Sequence, residues 1–174
     1  HYIEQDSNDK YGTAIPVALV YPHLQKGESV LVATGDDFIY NADGSSDFTR
    51  LIEATPQGAN SILSTAIDPQ EVSRYGVLDF NEDTGLFAGI VEKPSIEQAP
   101  SNQINTSKYV LNYEVLTRTY GYCQLDVSGE YYLTSVLNQA AVEKQSITVV
   151  PAVGEYLDCG NVHGWLRANQ LIVS

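Results

Sequence analysis

Residues 30–40 read VLVATGDDFIY. Val30 to Ala33 is a short apolar run that reads as a buried strand. It stops at Gly35 and two adjacent acids, Asp36 and Asp37. The carboxyl end of a strand is where open α/β sheets bind ligands. Gly35 lets the backbone turn close to a ligand, and a carboxylate there suits a hard cation such as Mg²⁺. The alternative reading is a solvated turn, because Gly and Asp are ordinary turn residues.

On both sides of this run, helical and strand patterns alternate. YGTAIPVALVYPHLQKG (11–27) predicts a helix, with Thr13 as N-cap and Pro22 ending it. SSDFTRLIEATPQG (45–58) predicts a short helix with a serine N-cap, and ANSILSTAI (59–67) a strand. YGVLDF and LFAGIVEK flank NEDTG (81–85), a good hairpin loop, and NTSKYVLN (105–112) is a further strand. The clearest helix is GEYYLTSVLNQAAVEK (129–144), where Leu133, Val136, Leu137 and Ala140 recur at helical spacing. SITVVPAV (146–153) is a strand, and NVHGWLRANQLI (161–172) a closing helix. The alternation predicts an α/β fold: a mixed sheet flanked by helices, with an antiparallel β insertion.

A length of 174 residues fits one domain, and a hydrophobic content of 43% can supply its core. The net charge of −13 argues against polymeric nucleic acid as a partner. It leaves room for a small nucleotide whose charge is met by a metal ion and a few lysines. No apolar run is long enough to span a membrane. Cys123 and Cys159 read as separate free thiols, as expected in the cytoplasm, and no CxxC or His pair gives zinc spacing.

Two further stretches carry chemistry. In EYLDCGN (155–161), Asp158 also ends an apolar stretch beside a glycine. It is a second candidate metal ligand or, alternatively, a helix N-cap. In GIVEKPS (89–95), Glu92 and Lys93 end a strand and point to opposite faces. A sheltered lysine suits a phosphate and a glutamate suits sugar hydroxyls. The alternative is a charged pair guarding a sheet edge.

Taken in order, the motifs resemble the sugar-1-phosphate nucleotidylyltransferases, and within them the bacterial UTP–glucose-1-phosphate uridylyltransferase branch. The residues that carry the resemblance are Gln5 with GTA (12–14), GDD (35–37), YGVLDF (75–80), VEKP (91–94), APSN (99–102), KYVL (108–111), GEYYLT (129–134) and DCGNVHGWLRAN (158–169). The resemblance implies a Rossmann-like, glycosyltransferase-A-like fold. It implies uridylyl transfer from UTP to glucose 1-phosphate, giving UDP-glucose and pyrophosphate, in a full-length protein that is a homo-oligomer. Asp36 and Asp158 would hold Mg²⁺ and Lys93 the sugar phosphate. Glu92 and the backbone at Gly76 would hold the hexose, and Gln5 with the backbone at Gly12 would read the uracil. A glucose-1-phosphate thymidylyltransferase and a non-catalytic nucleotide-sugar-binding domain are the alternatives.

The sequence also departs from the family. No G-x-G-T-R loop or following P-K segment is found, so the resemblance implies that residues 1–174 correspond to the C-terminal two-thirds of a catalytic domain, with the first βαβ section missing. The expectation is that this chain alone does not catalyse nucleotidyl transfer. Ser107 stands where the family usually has glycine, and is expected to crowd the sugar pocket.

Overall fold

The computed structural model describes residues 2–6, 10–126 and 128–173. Helix α1 (Ala14–Val20) is followed by strands β1 (Ser29–Ala33) and β2 (Asp37–Tyr40), helix α2 (Asp47–Glu53) and strand β3 (Asn60–Ala66). A hairpin of β4 (Gly76–Phe80) and β5 (Phe87–Glu92) precedes the long strand β6 (Gln103–Asn112). Helices α3 (Tyr113–Gln124) and α4 (Leu133–Val142), strands β7 (Ile147–Pro151) and β8 (Glu155–Asp158), and helix α5 (Val162–Ile172) complete the chain.

The main sheet runs β5-β4-β6-β3-β7, with β1 also paired to β6. Only β3 and β7 run parallel, and the other pairs are antiparallel. The sheet is therefore mixed, as the alternating pattern predicts, with β4–β5 as the antiparallel insertion. A second, two-stranded sheet pairs β2 with β8.

Period-two alternation divides the core between the two faces of the main sheet. Ile62, Leu78, Tyr109, Leu111 and Val149 point toward α1, α3 and α4. Their neighbours Leu63, Val110 and Val150 point to the other face, against Leu51 of α2. Each fully buried aliphatic side chain here stabilises the fold by about 1.5–3 kcal/mol. The helical spacing of Leu133, Val136, Leu137 and Ala140 is confirmed as the buried stripe of α4.

Local signals explain most element boundaries. Ser46 and Asn112 cap α2 and α3 by accepting from Thr49 N and Val115 N. Asn81 closes the β4–β5 loop by accepting from Thr84, and Gly85 takes φ 69°. On the far side of β5, Asn138 of α4 donates to Ile90 O and accepts from Ile90 N, which covers that edge.

Three expectations need correction. Val30–Ala33 is not buried: β1 pairs only with β6 among the described strands, so its residues are half-exposed or exposed. Thr13 has helical φ and ψ and does not cap α1; its hydroxyl accepts from Leu133 N at the start of α4. The cap of α5 is Asn161, which accepts from Gly164 N, and this removes the N-cap reading of Asp158.

Candidate active site

The site begins where β6 changes neighbours. One edge of β6 pairs with β3. The other edge is shared end to end by β1, opposite residues 108–112, and β4, which meets it at Ile104. Between them β6 bends, its register with β3 shifts, and Ser107 adopts φ 56°. The resulting cleft has a volume of about 360 Å³, within the usual range of ligand pockets.

Five of the seven residues expected from the sequence meet in this cleft. Asp36 reaches it from the end of β1, Gly76 from the start of β4, Glu92 and Lys93 from the end of β5, and Asp158 from the end of β8. Gly76 and Glu92 are register partners, and a Cβ at position 76 would come within 3.3 Å of both Glu92 carboxylate oxygens. Glycine there lets the glutamate lie across the strand. Lys93 adopts φ 45°, an unusual conformation for a side-chain-bearing residue, fixed in part by its N–H bond to Tyr75 O.

The other two residues lie elsewhere. Gly12 is packed against Tyr131 at φ 127°, and its neighbour Thr13 lines the cleft. Gln5 is exposed beside a second cavity between α1 and α3, where it donates to Lys10 O. The structure does not bring Gln5 to the cleft that holds Asp36 and Asp158.

The β2–β8 ribbon sets the acids side by side, with Asp37 and Asp158 as register partners. Adjacent in sequence, Asp36 and Asp37 have different surroundings. Asp37 forms an ion pair with Lys108 and accepts from the Tyr156 hydroxyl at 2.8 Å. Lys108 is 1% exposed and also donates to the Asp37 carbonyl at 3.1 Å. Burial pushes the Lys108 ammonium down to about 8, against the opposing influence of the Asp36 carboxylate. Asp36 is exposed, and no described residue donates a hydrogen bond to its carboxylate.

Asp158 is held from several directions. Its Oδ2 accepts from Asn161 Nδ2 at 2.9 Å and from the Tyr75 hydroxyl at 3.2 Å. Its Oδ1 accepts from Gly160 N, and an Arg74 nitrogen lies 3.7 Å from Oδ2. Burial raises the pKa values of Tyr75 and Tyr156, and the Asp158 charge adds to both shifts, so both phenols stay protonated as donors. Behind the acid, Gly164 touches the Asp158 backbone so closely that a Cβ would come 1.8 Å from its carbonyl oxygen.

The donor set suits a hard divalent cation. Once Asp37 is neutralised by Lys108, the described lining residues leave Asp36, Glu92 and Asp158 against Arg74 and Lys93. A phosphate in this cleft therefore needs a further positive charge. Among the described residues no cluster of three or more His, Cys, Asp or Glu forms a metal cage. A Mg²⁺ usually takes one or two carboxylates, with phosphate oxygens and water completing its shell.

Sequence reading missed Arg74, Tyr75, Tyr156 and Lys108. Lys108 had a legible signal: it occupies an inward position of an alternating strand, with Ile104, Thr106 and Val110, so it requires an acidic partner. Cys123 and Cys159 are free thiols, as expected, and no helix of the described residues is long and apolar enough to cross a membrane.

The chain is similar to known proteins in both sequence and fold. The profile of the family described as Nucleotidyl transferase matches residues 1–174. A Methanocaldococcus jannaschii protein provisionally named UTP–glucose-1-phosphate uridylyltransferase is 30% identical over 174 residues, covering 97% of this chain and 58% of that protein. The Haemophilus influenzae UTP–glucose-1-phosphate uridylyltransferase is 32% identical over 120 residues, covering 64% and 39% respectively. An apo UDP-glucose pyrophosphorylase structure shares the fold at TM-score 0.84 and 22% identity, covering 99% of this chain and 63% of its own. The chain thus spans about half the length of these curated relatives.

Proposed function

Because this chain belongs to the nucleotidyl transferase family, we propose that it carries the sugar-phosphate and metal site of a uridylyltransferase acting on UTP and glucose 1-phosphate. In that reaction a phosphate oxygen of glucose 1-phosphate attacks the α-phosphorus of UTP. The bond from that phosphorus to the bridging oxygen breaks, and pyrophosphate leaves. The protein's contribution is alignment and charge neutralisation, without a covalent protein intermediate.

One observation carries the reading: Asp36, Gly76, Glu92, Lys93 and Asp158, drawn from four separate strand ends, converge on one cleft. Lys93 takes the sugar phosphate, and its Nζ makes no hydrogen bond or ion pair with the described residues. Glu92, lying across Gly76, accepts from hexose hydroxyls. Asp36 and Asp158 hold the divalent cation, Mg²⁺ on this reading, which offsets the phosphate charge when bound. The proposed base contacts rest on the Gly12 peptide, since Gln5 faces the neighbouring cavity. The names of the relatives favour uridylyl over thymidylyl transfer, and a cytoplasmic setting fits the two free thiols.

The test is calorimetry on the 174-residue chain. Glucose 1-phosphate binding is expected to require Mg²⁺ and to disappear in Asp36→Asn and Asp158→Asn. Binding that ignores both substitutions overturns the reading. Competition between UTP and dTTP for the chain, read in the same calorimeter, decides the base.

A further inference from the structure

We propose that Arg74 is a phosphate-binding residue that alternates between two anions. Its guanidinium lies beside Asp158, and it turns to the ligand's phosphate when a divalent cation takes that carboxylate. This inference rests on the metal and phosphate reading above.

Arg74 and Lys93 are the two cations among the residues described as lining the cleft. They approach from different elements: Lys93 follows β5, and Arg74 ends the 3-10 turn Pro69–Arg74 just ahead of β4. The Arg74 guanidinium is held beside the cleft by two neighbours. One guanidinium nitrogen bonds Glu71 at 2.9 Å, and the group sits 5.3 Å from the Tyr75 ring centroid. The second nitrogen is 3.7 Å from Asp158 Oδ2, an ion-pair distance too long for a good hydrogen bond.

That contact is the expendable one. Asp158 keeps Asn161, Tyr75 and Gly160 as donors without it. Arg74 is half-exposed, with 48% of its side chain open, so solvent leaves room for the guanidinium to turn toward the cleft. A cation arriving at Asp158 repels the guanidinium, and the phosphate brought with that cation attracts it. The planar fork matches two phosphate oxygens better than an ammonium can. A purely structural arginine, fastening the 3-10 turn through Glu71, would respond to neither ligand.

The test uses two probes on the whole chain, Mn²⁺ alone by electron paramagnetic resonance and glucose 1-phosphate with Mg²⁺ by calorimetry. In Arg74→Gln, Mn²⁺ is expected to bind about two- to fivefold more tightly, because a competing exposed charge is gone. The same variant is expected to bind glucose 1-phosphate about tenfold more weakly, having lost a charge-assisted contact. Arg74→Lys, which keeps charge but not the fork, is expected to retain wild-type Mn²⁺ affinity and lose part of the sugar phosphate affinity. Glu71→Gln, which releases the structural pair alone, is expected to leave both affinities within about twofold. Arg74→Gln with unchanged or weaker Mn²⁺ binding, or with unchanged sugar phosphate binding, overturns the proposal while leaving the metal reading intact. A wild-type chain that binds neither probe overturns both.

Discussion

The two edges of β6 are used in opposite ways. Along one edge β3 pairs with it, and β7 continues the sheet beyond β3, so side chains such as Ile62, Leu63 and Val150 are sealed. Along the other edge two short strands meet it end to end, and the space between them is the cleft. The site is therefore an interruption of strand pairing rather than a hollow in the core. Polar groups that would be costly inside a continuous sheet are tolerable there, and the packed edge supplies the rigidity.

The sharpest challenge to this division is Lys108, the residue through which the packed strand fastens the open side. Lys108→Met leaves Asp37 without its cation, and the fold should lose about 3–5 kcal/mol. Guanidinium denaturation measures the loss, and adding Asp37→Leu should restore much of it. Little loss in the single variant would mean that the β1–β2 turn is held by something else.

On the packed edge alone, Leu63→Ala should cost about 2–5 kcal/mol, while glucose 1-phosphate affinity, measured by calorimetry well below the melting point, stays unchanged. Lys93→Gln should do the reverse. It should weaken that affinity by about 1.5–3 kcal/mol, with no shift of the denaturation midpoint. If either variant moves both readouts together, the two edges are not independent.

A smaller effect is expected at Asp47, which ties α2 to the segment leading into β8. It accepts from Asn41 Nδ2 and from the N–H groups of Val153 and Gly154. Burial pushes its pKa up, but these donors together with Arg50 outweigh burial and hold it below 3.8. The unfolded chain therefore takes up this proton first. The stabilisation is complete above about pH 4 and is lost as pH falls through the native value. Asp47→Asn should flatten that acid limb in urea titrations between pH 2 and pH 5, at a cost of about 1 kcal/mol at neutral pH.

The least effect is expected at Ser107. Glycine relieves its left-handed backbone, worth about 1–2 kcal/mol, but adds unfolded-state freedom worth about 0.5–1 kcal/mol. Ser107→Gly should therefore raise stability by about 1 kcal/mol or less in the same denaturation assay.

The sequence was most readable where cause and effect are local. The α4 stripe, the Ser46 and Asn112 caps and the Asn81 turn each follow from residues a few positions apart. Asp36, Glu92, Lys93 and Asp158 were legible as a group because each lies at or just beyond a strand end, even though the pairing of β2 with β8 was not. What stayed hidden depends on distant registers. Val30–Ala33 looked buried because its apolar content is that of a central strand, yet no described strand covers its outer edge. Arg74, Tyr75 and Tyr156 become site residues only when β4 and β8 are brought together across the cleft. The same limit applies to Gln5, whose place beside α1 and α3 no short-range pattern encodes.

The contact of Gly164 with the Asp158 carbonyl joins helix and acid into one lever. Trp165, the sole indole of the chain, stands next along that lever. It offers an intrinsic fluorophore for testing, without any attached dye, whether the proposed ligands reach the carboxylate.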